Sequence, residues 1–222
     1  MVYPKYCVGC HKEGFWLCKN CTKKIVLINK AYCPICSRLN DRGQFCSRCR
    51  VKTDLTGVII AAHYKEGPLK EAIHTYKYDG IFDLKYDLSR LLIESLKRRN
   101  ITMPYLMVPV PLHHSRLGQR GFNQSELLCK EIIRYCSNFQ LISNKLIRVK
   151  KTPHQVDLDR KERIENIKNQ FEWFGDIDEL KGKKVIVVDD VYTTGSTLNE
   201  CARVLRRSAK AKEVWGLVIA KH

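Results

Sequence analysis

Four C-x2-C pairs fall within the first 49 residues: Cys7 with Cys10, Cys18 with Cys21, Cys33 with Cys36, and Cys46 with Cys49. Each pair makes a tight knuckle that aims two sulfurs at one ion, and two knuckles complete a tetrahedral site of four thiolates. Disulfides at such spacing are unusual, and the opening stretch MVYPKYCVGC has no apolar signal core, so metal is the reading rather than a secreted disulfide framework. A redox role for CPIC (33–36) lacks the βαβ setting that such motifs occupy. Zinc is the default for closed sulfur sites, giving two structural Zn²⁺, with iron–sulfur as the alternative. Sequential pairing joins Cys7/Cys10 to Cys18/Cys21 and Cys33/Cys36 to Cys46/Cys49. Each second knuckle then runs into a short helix, at TKKIVLI and RVKT; interleaved pairing and His11 as a substitute ligand are the alternatives. A head of ~50 residues with so few apolar groups needs metal to supply the stability its core cannot.

The composition changes near Asp54–Gly57, which divides the chain into a double zinc ribbon over 1–55 and a larger domain over 56–222. No apolar run approaches the ~18–20 residues that cross a bilayer, and the expected location is cytoplasmic. The formal net charge is +17; two Zn²⁺ each held by four thiolates lower it to about +13. A phosphate-rich partner follows from such a charge, a solvated basic surface being the plainer alternative. In the head, Lys5, Lys12, Lys19, Lys23, Lys24, Arg38, Arg42, Arg48 and Arg50 are interspersed with Tyr3, Tyr6, Phe15, Trp16, Tyr32 and Phe45. Cations for phosphates and aromatic faces for bases suit single-stranded nucleic acid, unless the aromatics form the ribbon's own small core.

After the boundary, strands and helices alternate, which implies an α/β fold with a mostly parallel sheet. Strands are expected at LTGVIIAAHYK, YLMVPVPL, FEWF, KVIVVDD and EVWGLVIA. Helices are expected at GPLKEAIHTYKYDG, over 83–98 on the spacing of Leu84, Leu88, Leu91, Leu92 and Leu96, over 123–135 with Leu127, Leu128 and Ile132 inward, and over 196–207. Cys129, Cys136 and Cys201 fall on helices among apolar residues and read as buried structural thiols. Arg148–Gln170 is long, charged and broken at Pro153, the pattern of a mobile functional loop or a disordered one.

The stretch VIVVDDVYTTGST (185–197) carries the chemistry. A parallel sheet places its ligand at the carboxyl ends of its strands. Here the strand Val185–Val188 ends at Asp189 and Asp190, and Thr193, Thr194, Gly195, Ser196 and Thr197 open a helix. The N–H groups of a helix start, a close-approaching glycine and added hydroxyls suit a phosphate monoester. The lysine of a Walker-type loop is missing. The carboxylates would repel phosphate but suit sugar hydroxyls or hydrated Mg²⁺. A ribose 5-phosphate with a free diol offers both parts, against the bare alternative of a capped strand–turn–helix.

This stretch resembles the motif by which type I phosphoribosyltransferases bind phosphoribosyl pyrophosphate (PRPP). VPVPLHHSRLGQRGFNQSELL (108–128), TPHQVDLDRKERIENIKNQF (152–171) and the Cys-rich head extend the likeness to the ComF family of late competence proteins. The resemblance implies a type I phosphoribosyltransferase-like sheet with helices on both faces, plus the ribbon. It implies that Asp189 and Asp190 contact the ribose hydroxyls, partly through Mg²⁺-bound water, as the catalytic pair, and that Thr193–Thr197 cradle the 5-phosphate. Leu112–Gly121 takes the place of the pyrophosphate loop, with Arg116 and Arg120 as its cations; His113 and His114 read as solvated loop histidines. Residues 148–170 correspond to a loop that closes over PRPP, where Gln155, Arg163 and Asn166 match best and Lys150, Lys151 and Arg160 are further anion contacts. The implied role is in DNA uptake and natural transformation, with single-stranded DNA, uptake machinery such as a ComFA helicase, and recruitment to the membrane-associated apparatus. A phosphoribosyltransferase for a small acceptor and a non-catalytic PRPP-sensing regulator are the other readings, since no segment names the acceptor.

Overall fold

A computed structural model describes residues 4–101, 105–150 and 167–222. Five strands form one sheet: β1 (Gly57–His63), β2 (Tyr105–Pro109), β3 (Phe139–Leu141), β6 (Lys184–Tyr192) and β7 (Glu213–Lys221). Their order is β1-β7-β6-β2-β3 and every pairing is parallel. Strands covered on both faces need continuous apolar runs rather than alternation, and Val185–Val188 in β6 are all fully buried. A separate antiparallel pair, β4 (Leu146–Arg148) with β5 (Phe171–Trp173), brackets the charged stretch.

Alternate side chains of the strands point to opposite faces. Ile59, Ile186, Val188 and Leu217 meet α3 (Pro68–Tyr78), α4 (Lys85–Arg98) and α6 (Gln124–Tyr135) on one side. Val58, Val187 and Val218 meet α7 (Ser196–Arg207) on the other. The leucine spacing of α4 does what it predicts: Leu84, Leu88, Leu91, Leu92 and Leu96 are all buried. In α6, Leu128 and Ile132 are buried while Leu127 is half-buried. Cys129 and Cys201 are fully buried, but Cys136, at the end of α6, is only half-buried.

Three local expectations are corrected. β6 does not stop at the acid pair but runs to Tyr192, because Val191 and Tyr192 still pair with Ala220 and Lys221 of β7. The stretch expected as a loop at 112–121 contains a short helix, α5 (His114–Arg120), closed by Gly121 in the left-handed conformation. The short ribbon helices begin inside the second knuckles rather than after them: α1 is Lys19–Lys23 and α2 is Ser47–Arg50.

β1 lies at the edge of the sheet, and an open edge exposes a row of unpaired backbone groups. The ribbon covers it. Ile28 N–H donates to the Ala61 carbonyl at 2.8 Å and Val58 N–H to the Gly43 carbonyl at 2.9 Å. Leu27 bridges Ala62, and Gln44 bridges Gly57. The two halves of the ribbon straddle the edge. Cys7, Leu17 and Cys21 pack into the core on the α4 side, and Cys33, Phe45 and Cys49 into that on the α7 side. Gly57 sits where the backbones meet: a Cβ there would lie 2.6 Å from the Gly43 carbonyl oxygen and 2.5 Å from the Trp215 ring. Overpacking of this kind costs about 1–3 kcal/mol. Gly57→Ala is therefore expected to lower the melting temperature by several degrees, whereas Gly118→Ala, whose Cβ meets nothing within 4 Å, leaves it within a degree or two; differential scanning calorimetry checks both.

Candidate functional site

At the carboxyl ends of the parallel strands lies a cleft of about 790 Å³. Its floor is Asp189 and Asp190, followed by Val191, Thr193 and Thr197. Lys77 and Tyr78 reach it from the end of α3, Arg116, Gln119 and Arg120 from α5, Arg148 from β4, and Tyr64 and His222 from beyond β1 and β7. The fold thus brings the acid pair, part of the hydroxyl loop and both expected arginines to one cavity. Gln155, Arg163, Asn166, Lys151 and Arg160 lie outside the described residues, and Lys150 is exposed.

The dyad is asymmetric. Asp190 is buried and its Oδ1 accepts an ion-pair contact from Lys77 Nζ at 2.8 Å. Asp189 Oδ1 accepts from the Asp190 N–H at 2.9 Å and from Ser125 Oγ at 3.4 Å. Burial, followed by the Asp190 charge, pushes the Asp189 carboxyl up to about 7 against the pull of Lys77. Burial opposes the charge on Lys77, but Asp190 outweighs it and its pKa rises. One carboxylate thus has an internal counter-ion, while burial and its neighbour's charge disfavour ionisation of the other.

The following turn is built by its own hydroxyls. Thr194 Oγ1 and Ser196 Oγ lie 2.7 Å apart, and Thr194 Oγ1 also accepts from the Ser196 N–H at 3.3 Å. Gly195 has φ 78°, and a Cβ there would strike the Tyr192 ring at 2.4–2.7 Å, so this position needs glycine twice over. Of the five loop residues, Thr193 and Thr197 line the cleft; Thr194, Gly195 and Ser196 shape the turn between them. α7 begins directly after, and the first N–H groups of a helix have no intrahelical acceptor.

His113, expected in solvent, is buried and accepts from the Ser115 N–H as the N-cap of α5; its ring packs against His114 at 4.0 Å. Arg120 lies over the Tyr78 ring at 5.1 Å. Arg148 is buried and donates through Nε and Nη2 to Gln170 Oε1 at 3.1 and 2.8 Å. These bonds tie together the described ends of the charged stretch. Lys77, Ser125 and Arg148, like Tyr64, Tyr78, Gln119 and His222, are site residues that sequence patterns did not single out; the first three stand in a polar context indistinguishable from a solvated surface.

The cysteines form two quartets, Cys7/Cys10/Cys18/Cys21 and Cys33/Cys36/Cys46/Cys49, with the sulfurs of each within 4.8 Å of one another. This is the sequential pairing. Cys10 and Cys18, and Cys36 and Cys46, approach to 3.6 Å, close to the ~3.8 Å edge of a tetrahedron with zinc–sulfur bonds of about 2.3 Å. Burial opposes ionisation of Cys7, but N–H groups of Cys18, Gly9 and Cys10 outweigh it and bring the thiol to about 6. Burial and the neighbouring sulfurs push Cys21 up to about 12. Four thiolates cannot share so small a volume without a cation. Among the head's aromatics, Phe45 is core, Trp16 Nε1 donates to Asp83 Oδ2 at 3.4 Å, and Tyr32 lies under Lys221 and beside His63. Tyr6 and Phe15 are exposed, as are the head's described lysines and arginines.

Comparison with known proteins agrees with this architecture. Residues 1–50 match the double zinc ribbon domain and residues 141–221 the phosphoribosyl transferase domain. The chain is 35% identical over 225 residues to competence protein F of Haemophilus influenzae, covering 96% of each. It is 34% identical over 229 residues to the DNA utilization protein YhgH of Escherichia coli, covering 98% of each. To competence protein ComFC of Bacillus subtilis it is 27% identical over 210 residues, covering 89% of this chain and 81% of that one. The chain belongs to the competence protein F/ComFC family, with a type I phosphoribosyltransferase-like fold and two four-cysteine zinc sites in an amino-terminal ribbon.

The raised Asp189 pKa fixes the sign of a pH effect. The folded chain retains a proton that the unfolded chain releases between about pH 4 and 7, so the ionised carboxylate works against folding above that window. Asp189→Asn is expected to raise the melting temperature of the ligand-free protein at pH 8, the gain shrinking toward pH 4. Thermal melts of both proteins across that range check it.

Proposed function

We propose that this ComF-family chain binds Mg²⁺–PRPP in the cleft above β6 and single-stranded DNA on its basic surface, and serves DNA uptake in natural transformation. One observation carries the sugar half: an acid pair and a hydroxyl-lined helix start share one cavity with Arg116, Arg120 and Arg148. The ribose diol takes the carboxylates, the 5-phosphate takes Thr193–Thr197 and the first N–H groups of α7, and the pyrophosphate takes the arginines. Forked guanidinium groups suit pyrophosphate oxygens, and each charge-assisted hydrogen bond contributes about 1.5–3 kcal/mol. Mg²⁺, held through Asp189 and Asp190, would supply charge neutralisation for the bound pyrophosphate. Lys77 pairs with Asp190 in the ligand-free protein and yields it when the sugar arrives. The named relatives support the role in competence, with the ribbon (1–55) and the sugar-binding domain (56–222) working beside uptake components such as a ComFA-type helicase at the cytoplasmic side of the membrane. Among the described residues no helix is long and apolar enough to cross a bilayer.

A site so built is suited to breaking the C1–oxygen bond of PRPP. The electron pair leaves with pyrophosphate, ribose passes through an oxocarbenium-like state, and an acceptor lone pair closes the new bond. A second reading, transfer to a small planar acceptor, draws on Tyr64 and His222, whose rings lie 5.4 Å apart at the cleft wall. Pyrophosphate release measured across bases, nucleotides and DNA separates the two: release driven by a free base supports transfer, and release by none leaves binding alone.

Ligand that binds the folded state alone stabilises it by about 2.7 kcal/mol at a hundred times its Kd. Mg²⁺–PRPP is therefore expected to raise the melting temperature of the wild type by several degrees. The double substitution Asp189→Asn, Asp190→Asn is expected to abolish the rise while leaving the protein folded. An undiminished rise in the double variant overturns the assignment.

A further inference from the structure

The turn between α3 and α4 presents a surface that meets the cleft only at its rim, at Tyr78. Among the described residues seven aromatic side chains are exposed: Tyr6, Phe15, Tyr78, Phe82, Tyr86, Tyr135 and Phe174. Three of them, at 63%, 53% and 40% exposure, fall within Tyr78–Tyr86. Tyr6 and Phe15 adjoin the two ribbon residues that hold this turn. Lys5 Nζ pairs with Asp83 Oδ2 at 3.0 Å, and Trp16 Nε1 donates to the same oxygen at 3.4 Å. Five of the seven exposed rings thus belong to this turn or adjoin its ribbon contacts in sequence, along the seam between the first zinc unit and the turn.

Cations lie on the rings. Lys85 Nζ stands 4.9 Å from the centre of the Tyr86 ring and 5.8 Å from that of Phe82. Arg120 lies 5.1 Å from Tyr78, and both line the cleft. From beneath, Phe122 supports Phe82, edge to face at 6.0 Å. The acids of the turn are largely occupied: Asp83 is held by Lys5 and Trp16, and Asp87 is half-buried with Arg90 nearby. Asp79 remains as the exposed carboxylate. Rings left in water on a chain of formal charge +17, with positive charges over their faces, match a ligand that offers both flat bases and phosphates.

We propose that a single strand of nucleic acid lies along this seam, its bases stacked on Phe82 and Tyr86, its phosphates near Lys85, and its run directed toward the cleft at Tyr78. The placement rests on the single-strand reading above and adds where the strand is gripped. A protein partner on the same rings is the competing occupant.

The test uses the full-length protein and a fluorescent oligothymidylate read by anisotropy. Phe82→Ala with Tyr86→Ala is expected to weaken binding tenfold or more, since a stacked base is worth about 1–3 kcal/mol, while the response to Mg²⁺–PRPP is unchanged. Lys85→Gln is expected to reduce the log–log salt slope by about 0.7, and the ring substitutions to leave it alone. Asp79→Asn is expected to tighten binding. In the wild type, 5-iodouracil in the strand is expected to crosslink to the peptide spanning 78–86, which requires no variant to fold. Wild-type binding that survives loss of both rings, or crosslinks confined to other peptides, overturns the placement and leaves the single-strand reading standing. Wild type that binds no strand at low salt sinks both and returns the surface to a protein partner.

Discussion

An exposed strand edge must be paired or covered, and in this chain that requirement is met by metal. β1 ends the parallel sheet, and the ribbon closes it with backbone bonds from Ile28 and to Gly43 while sending one cysteine quartet to each face. The ribbon has too few apolar residues to hold such a position alone. Its knuckles do so because two ions fix four short segments at once. Removing the ions would loosen a small appendage and also expose the edge of the domain that carries the cleft.

The same clamp reaches the site. Lys5 and Trp16 hold Asp83, Asp83 fixes the turn after α3, and the end of α3 carries Lys77 to Asp190. A second tie runs from Lys221 Nζ to the Pro34 carbonyl at 3.0 Å in the other ribbon half, next to His222 at the cleft wall. Both halves of the ribbon therefore touch an element that lines the cleft. The geometry gives a physical reason for one chain to carry ribbon and sheet together: the first positions the cations and rings around a site that the second provides.

Much of this was legible in the sequence, for identifiable reasons. The cysteine spacing favours sequential pairing, which needs only short connections, over interleaving, and the two quartets are sequential. The buried run Val185–Val188, the acids after it and Gly195 before a helix obey strong local rules, and the fold gives each its expected place. What escaped depends on contacts distant in sequence. Lys77 lies at the end of α3 in a stretch of mixed polarity and reads as solvated until Asp190 is placed beside it. Arg148 lies in a basic run that suggests a loop, yet its guanidinium is buried against Gln170, 22 residues on. β6 outruns the acid pair only because β7 continues alongside it. Gly118 within α5 and Pro111 just before it made that helix look like a loop.

The asymmetry of the dyad follows from that same distant pairing. Two adjacent carboxylates at the end of a buried strand cannot both ionise cheaply without a counter-charge. Lys77 neutralises one, and the N–H of Asp190 and the hydroxyl of Ser125 give the other its contacts without a full counter-charge. The raised Asp189 pKa records what is missing. A divalent cation or a pair of sugar hydroxyls would supply it from outside. The cleft is therefore held in a state that an incoming cationic or hydroxyl-rich ligand relieves, and an anion presented to the floor alone would make it worse. In the proposed complex, phosphate groups approach from the α7 and α5 sides, where the helix start and the arginines stand, with the diol turned to the acids. On that proposal the charge distribution of the cleft would orient a phosphorylated sugar before any contact with its acceptor is made.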